Sequence, residues 1–396
     1  MWSGTGRVRP RWGGKDQKRR RPLATGIATG LRRATETSDC HTGEVPHRLV
    51  AVTLACAAAL LAGCGVPSGA SAVSPPAATF LPDASSAAAR PEVGRLRLYA
   101  GTRPSVPASG LTSSRALPTA TDGERTYRLF VPAGLDGRVP LVVALHGGLG
   151  SGEQFAANSG LDGLATANGF IVAYPDGVTR FLDGSGGART WNAGKCCGPA
   201  AARDVDDLAF IRDVVADVSQ LQDIDADRVY AIGHSNGGMM ALRLACEASD
   251  VFAAVGVQAS SLESAPCEPS TPVSSMQIHG AADTNVPLDG GAGTGLAGVA
   301  FAPPRAAAES LASADGCGSA TQRVRDRANR DLVMERWRGC SPGIAVQFLT
   351  VRGAGHAWMG RPSLSEAADR LMGVPYPRLD ASRALWAFVS AHPRAT

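Results

Sequence analysis

The residues best suited to chemistry stand at Gly233-His234-Ser235-Asn236-Gly237, with Gly238 next. A serine two positions from glycine on either side lies between a strand-like apolar run, Arg228 to Ile232, and a helix-forming stretch, MMALRLA. That is the spacing of a nucleophile on a strained strand-to-helix turn. The flanking glycines remove bulk, and the helix that follows points its positive end at the hydroxyl. Such a serine needs a base before it can attack at neutral pH. HGAADTNVP places Asp283 just past the apolar run Ser274 to His279, and RGAGHAW places His356 just past Ala345 to Val351. The order Ser, Asp, His, at separations of 48 and 73 residues, suits acyl transfer. In that chemistry His356 takes the Ser235 proton as general base and Asp283 orients its ring. A tetrahedral intermediate also needs N–H donors. His146-Gly147-Gly148 follows the apolar run Pro140 to Leu145, and glycines there let the backbone approach a substrate carbonyl. The expected oxyanion donors are the Gly148 and Asn236 N–H groups, with Leu149 the alternative to Gly148 on its loop.

These residues need a scaffold that brings strand ends together. Arg125 to Val131 alternates as a half-exposed antiparallel strand, whereas Pro140 to Leu145 and Gly169 to Tyr174 are continuous apolar runs of the kind buried in parallel sheets. Arg228 to Ile232, Phe252 to Gln258, Ser274 to His279 and Ala345 to Val351 add further strands. Helices are expected over 152–168, 204–220, 236–247, 303–314 and 380–391. The alternation predicts an α/β fold with a mostly parallel sheet, helices on both faces, and chemistry at the carboxyl ends of the strands. Of the competing histidines, His234 is expected to pack beside the turn and His279 to hydrogen-bond structurally, with His279 also an alternative base. His392 falls in the last helix, and His41 and His47 precede the mature chain.

The chain has 396 residues, 44% of them apolar, 19% charged and 5% aromatic, a globular composition. Its formal charge of +4 is unevenly spread: residues 1–48 hold 11 of the 39 Lys and Arg against 4 of the 35 Asp and Glu. Residues 65–396 carry 28 against 31, with Lys195 as their single lysine, which argues against a nucleic-acid partner. After position 64 no apolar run reaches 18 residues, which excludes a helical membrane bundle there. Leu49 to Ala62 is an apolar run of 14 behind Arg48, too short to span a bilayer and suited to a signal peptide. It leads into Leu61-Ala62-Gly63-Cys64, which resembles a bacterial lipobox, so Cys64 is the expected lipidation site and first mature residue. An ordinary secretory signal is the alternative. Residues 1–44 are Arg-rich without apolar periodicity and read as a disordered extension or as sequence upstream of a true start near Val45. From Gly65 to Pro91, 21 of 27 residues are Ala, Ser, Pro, Thr or Gly, too little apolar surface to offset ordering entropy. The expected organisation is a signal peptide over 45–64, a tether over 65–120 and a folded domain over 121–396. The expected location is extracellular or at the cell surface, held to the membrane by lipid on Cys64.

LHGG, RTWNAGKCCGPA, DVDDLAFI, GHSNGGMM, HGAADTNVP and GHAW, in this order over about residues 122–392, resemble the bacterial polyhydroxybutyrate depolymerase-like esterases. These are related to the feruloyl and acetylxylan esterases of carbohydrate esterase family one. The resemblance implies an α/β-hydrolase fold, no cofactor, and a serine esterase with Ser235, Asp283 and His356 as its triad. Met359 departs from the Pro often found after GHAW. The implied substrate is a polyhydroxybutyrate-type oligoester or related acyl ester. Feruloyl or acetyl groups on cell-wall polysaccharide, acyl transfer with the same triad, peptide hydrolysis, and binding without catalysis are alternatives.

The Gly177 to Arg203 loop reads as a cleft wall with Trp191 as an aromatic surface for substrate, or as a loop that Trp191 merely anchors. Trp358, beside His356, is a second candidate substrate contact. Asp204, Asp206 and Asp207 read as charges complementing a helix N-terminus rather than as a metal site. With Cys40, Cys56 and Cys64 set aside, six cysteines suggest disulfides; spacing favours Cys246 with Cys267 and Cys317 with Cys340, leaving Cys196 and Cys197 adjacent.

Overall fold

The computed structural model describes residues 107–179, 187–264, 266–295 and 297–394. The N-terminal extension, the signal segment with Cys64 and most of the tether lie outside the described residues. The elements run β1 (Gly110–Pro118), β2 (Glu124–Pro132), β3 (Val139–Leu145), α1 (Gly152–Ser159), α2 (Leu161–Asn168), β4 (Ile171–Pro175), α3 (Gly198–Ala202) and α4 (Asp207–Leu221). They continue with β5 (Ile224–His234), α5 (Asn236–Glu247), β6 (Ala254–Gln258), β7 (Ser274–Gly280), β8 (Gly291–Ala292), β9 (Ala300–Phe301) and α6 (Pro304–Ala314). Last come β10 (Thr321–Arg325), β11 (Leu332–Trp337), β12 (Val346–Val351), α7 (Glu366–Met372) and α8 (Ala381–Val389).

Ten strands form one sheet in the order β1-β2-β4-β3-β5-β6-β7-β12-β11-β10. The six from β4 to β12 are parallel, and an antiparallel pair closes each edge. Strands β3 and β4 are apolar and buried along their whole length because both of their faces are covered. On one face Phe210, Met240 and Leu311, from α4, α5 and α6, share a core with Leu141 and Val143. On the other, Phe155, Leu164 and Leu385, from α1, α2 and α8, pack on Val142 and Ile232. Trp386 stacks on Phe170 at 3.8 Å between ring centroids.

From β3 the chain passes to β4 on one side and then returns to β5 on the other. This reversal opens a crevice between the carboxyl ends of β3 and β5, where α/β sheets accept ligands. The two ends are those of His146-Gly147-Gly148 and Ser235.

Several expectations change. The tether does not extend to residue 120: its last part is β1, an exposed edge strand paired with β2 along its whole length. The helix expected over 152–168 is two helices, because Gly160 adopts a left-handed φ of 65° and ends the first. Asp206 alone of the three aspartates caps α4, accepting from the Ala209 N–H at 3.0 Å. Asp204 accepts from Asn192 Nδ2 at 3.0 Å. Asp207 is buried in an ion pair with Arg125 at 2.7 Å, and its other oxygen takes the Asn192 N–H at 2.6 Å. Arg125 lies 3.9 Å above the Phe210 ring. Burial pushes the Asp207 carboxyl up even against the attraction of Arg125.

That pair ties the Trp191-Asn192 segment to β2 and α4. Removing the cation leaves a buried carboxylate uncompensated, so Arg125→Met will lower the unfolding free energy by about 3–5 kcal/mol. Adding Asp207→Asn will restore more than half of the loss, as read from urea unfolding midpoints.

Candidate active site

Ser235 occupies the turn between β5 and α5 at φ 53° and ψ −124°, a conformation costly for any side-chain-bearing residue. Neighbouring groups enforce it. A Cβ on Gly233 would collide with the Gly237 carbonyl, and one on Gly237 with the carbonyls of Leu145 and His146. The Ser235 N–H donates to Gln258 O at 3.0 Å, and Ser260 Oγ donates to Ser235 O at 3.0 Å.

Ser235 Oγ lies 2.9 Å from His356 Nε2, and His356 Nδ1 lies 2.8 Å from Asp283 Oδ2. The other oxygen of Asp283 accepts the Asn285 and Val286 N–H groups at 2.9 and 3.0 Å. Burial alone would raise the Asp283 carboxyl, but its hydrogen bond from His356, with the further contributions of His279 and Val286 N–H, leaves it below the ordinary carboxylate value. An anion held this way fixes the imidazole with its Nε2 lone pair toward the serine. The geometry can transfer a proton from Oγ to Nε2.

Beside this chain, Asn236 is the first residue of α5, so its N–H has no intrahelical carbonyl to bond. On the facing loop, the Leu149 N–H is taken by Arg189 O at 2.7 Å. The Gly147 carbonyl is held by His146 Nδ1 at 2.8 Å and the Gly150 N–H at 3.0 Å. A trans peptide directs its N–H opposite to its carbonyl, so pinning Gly147 O also aims the Gly148 N–H. The Gly177 N–H donates to His146 Nε2 at 3.0 Å, which makes Nε2 an acceptor and places the neutral ring's proton on Nδ1.

His234 does more than pack beside the turn. Its Nε2 donates to the His356 carbonyl at 2.8 Å. Gln258, at the end of β6, donates to Ala357 O and accepts from the Met359 N–H, each at 3.0 Å. His279 donates to Val286 O at 2.9 Å and lies 3.7 Å from Asp283, a structural position. Burial lowers His146 and His234 to about 4, and lowers His279 as well.

Neither tryptophan is placed to touch substrate. Trp191 is fully buried; its Nε1 donates to His146 O at 3.0 Å, and its backbone exchanges two hydrogen bonds with the Asn236 side chain, at 2.7 and 3.0 Å. Trp358 is also buried, bonded to Ser382 Oγ at 3.0 Å and set edge-on to His234. They anchor the loops behind the site. The cleft above Ser235, about 290 Å³, is walled instead by Pro199, Met239, Val286, Phe301, Leu371 and Met372. Leu371 is exposed on a helix that buries no side chain, so no apolar period in the sequence marks this part of the wall. Disulfides join Cys246 to Cys267, Cys317 to Cys340, and the adjacent Cys196 and Cys197, of which Cys197 borders the cleft.

Residues 125–288 match the family model described as Esterase PHB depolymerase. The chain is 36% identical over 281 residues to NocK of Nocardia uniformis subsp. tsuyamanensis, a protein named as an esterase; the match covers 65% of this chain and 78% of that protein. The chain belongs to the PHB depolymerase esterase family. It is also 28% identical over 235 residues to feruloyl esterase B of Piromyces equi, covering 57% of this chain and 41% of that longer protein. Among solved structures, the acetyl xylan esterase from Aspergillus awamori aligns with a TM-score of 0.46 at 18% identity, over 62% of this chain and 94% of that one. As a family member the protein is a carboxylic ester hydrolase.

The two histidines held near 4 must gain protons on unfolding, where histidine titrates near 6.5. The unfolded chain then binds more protons than the folded one between those values. Their stabilisation is complete above about pH 6.5 and is lost as pH falls toward about 4, by as much as about 3 kcal/mol for each. Urea unfolding of the protein from pH 7 to pH 4 will show this slope, and His234→Gln will flatten it.

Proposed function

We propose that the protein is an exported serine esterase, lipid-anchored through Cys64, in which Ser235 is the nucleophile, His356 the general base and Asp283 its orienting carboxylate. The observation that carries this reading is the continuous run of short hydrogen bonds from Ser235 Oγ through His356 to Asp283. Oγ attacks the ester carbonyl carbon while its proton passes to His356 Nε2. The carbonyl oxygen becomes an oxyanion that the Gly148 and Asn236 N–H groups receive, each worth about 2.7–4 kcal/mol in the transition state. Collapse of the intermediate expels the alcohol oxygen, which takes the proton from Nε2 and leaves an acyl-serine. Water then repeats the sequence and releases the acid.

The substrate in this reading is a polyhydroxybutyrate-type oligoester or related acyl ester. A second reading, a feruloyl or acetyl ester on cell-wall polysaccharide, is favoured by the similarity to a protein named feruloyl esterase B. Both use the same residues.

Ser235→Ala will reduce kcat on nitrophenyl acetate by about a million-fold. Asp283→Asn, which disturbs the tautomer of His356, will reduce it by about ten-thousandfold. Circular dichroism will show both variants folded, and wild-type turnover in the alanine variant would remove the assignment.

A further inference from the structure

Three cavities meet around the triad residues. The first, about 290 Å³, contains Ser235, Gly148, Asn236 and His356, and its remaining wall is largely apolar, from Met239 and Phe301 among others. The second, about 280 Å³, lies across the Gly147–Leu149 loop and is faced by Phe155, Leu364, Ala367 and Ala368. The third, about 260 Å³, opens beside His356 and carries Thr284, Asn285, Thr294, Asp369 and Arg370, but not Ser235. Among the described residues, only Leu371 and Met372 border all three.

The main chain of these two residues is fixed to the site. The Met372 carbonyl accepts the N–H groups of both His356 and Ala357 at 3.0 Å. The Leu371 carbonyl accepts from Asn285 Nδ2 at 3.0 Å, and the Asn285 N–H in turn reaches Asp283. Helix α7, which they end, buries none of its side chains, and Leu371 is exposed. The backbone is therefore held while the side chains remain free to set the shape of the cleft.

We propose that Leu371 and Met372 are specificity-determining residues that divide the cleft into an apolar acyl chamber and a polar chamber for a hydroxylated leaving alcohol. The inference rests on the triad reading. The reacting carbonyl must sit between Ser235 Oγ and the oxyanion donors, all of which face the first cavity, so the acyl group follows its apolar wall. The leaving oxygen must reach His356 Nε2 to be protonated, so the alcohol departs on the His356 side. There the hydroxyl, amide, carboxylate and guanidinium groups of the third cavity can bond its hydroxyls.

Two ester series test the division in the purified protein: nitrophenyl esters from acetate to octanoate, and butyryl esters of butanol and glycerol. The wild type will favour the glycerol ester over the butanol ester by about tenfold or more in kcat/KM. Leu371→Trp will lower kcat/KM on the octanoyl and glycerol esters by about 10- to 100-fold more than on the acetate. Leu371→Ala will shift preference toward longer acyl groups. Equal changes along both series, or no wild-type preference for glycerol, would overturn the division while leaving the triad intact. Undiminished hydrolysis by Ser235→Ala, or no hydrolysis of any member by the wild type, would instead break the triad reading and the division with it.

Discussion

Two strands, β6 and β7, separate the strand that delivers the Ser235 hydroxyl from the one that delivers the His356 ring. At a spacing of about 4.8 Å per strand, the axes of β5 and β12 lie about 14 Å apart. Oγ and Nε2 nevertheless meet at 2.9 Å. Closing that gap falls to the loop after β12, which crosses the carboxyl edge of the sheet and must be held along the way. Gln258, on the strand between, bonds the loop at Ala357 and Met359. His234 takes the carbonyl of His356 itself, and the Met372 carbonyl takes its N–H. His356 is therefore positioned chiefly by hydrogen bonds to its own backbone, while its ring is left to Asp283 and Ser235.

The strained turn at Ser235 follows the same logic from the other side. A positive φ on serine persists only where the surroundings allow no relaxation. Here the turn is pinned to β6 through Gln258 O and to Ser260, and its glycines sit against the Gly237, Leu145 and His146 carbonyls. The same contact brings β3 and β5 close enough for the Gly148 and Asn236 N–H groups to border one cleft. Trp191 completes the join, bonding to His146 O with its ring and to Asn236 with its backbone. The Ser235 turn and the facing glycine loop are thus one packed unit.

What was legible in the sequence was what is local. Gly233 to Gly238 needs only its own neighbours to specify a turn, and continuous apolar runs mark buried parallel strands whatever surrounds them. What was hidden depends on burial by distant residues. Trp191, in a glycine-rich loop, has the appearance of an exposed platform until His146 and Asn236 are seen to enclose it. Asp207 resembles any helix-terminal acid until Arg125, 82 positions earlier, is placed beside it. Strands β1 and β10 were missed because they are edge strands without a buried side chain, so no apolar period marks them. The α7 wall of the cleft escaped for a related reason, since that helix buries nothing.

Four histidines lie at or just beyond the carboxyl ends of parallel strands: His146 after β3, His234 on β5, His279 on β7 and His356 after β12. Residue type alone cannot tell them apart, and all four are largely buried. Their partners separate them. His146, His234 and His279 each spend a ring nitrogen on a backbone carbonyl, of Gly147, His356 and Val286 respectively. Such a bond needs a proton on that nitrogen, and burial disfavours a second one, so these rings serve as neutral donors. His356 alone has a side chain on each nitrogen, a carboxylate on one and a hydroxyl on the other. Only that arrangement can accept a proton at one end while an anion faces the charge at the other. The sheet therefore offers four similar positions, and hydrogen-bond partners leave one of them able to act as a base.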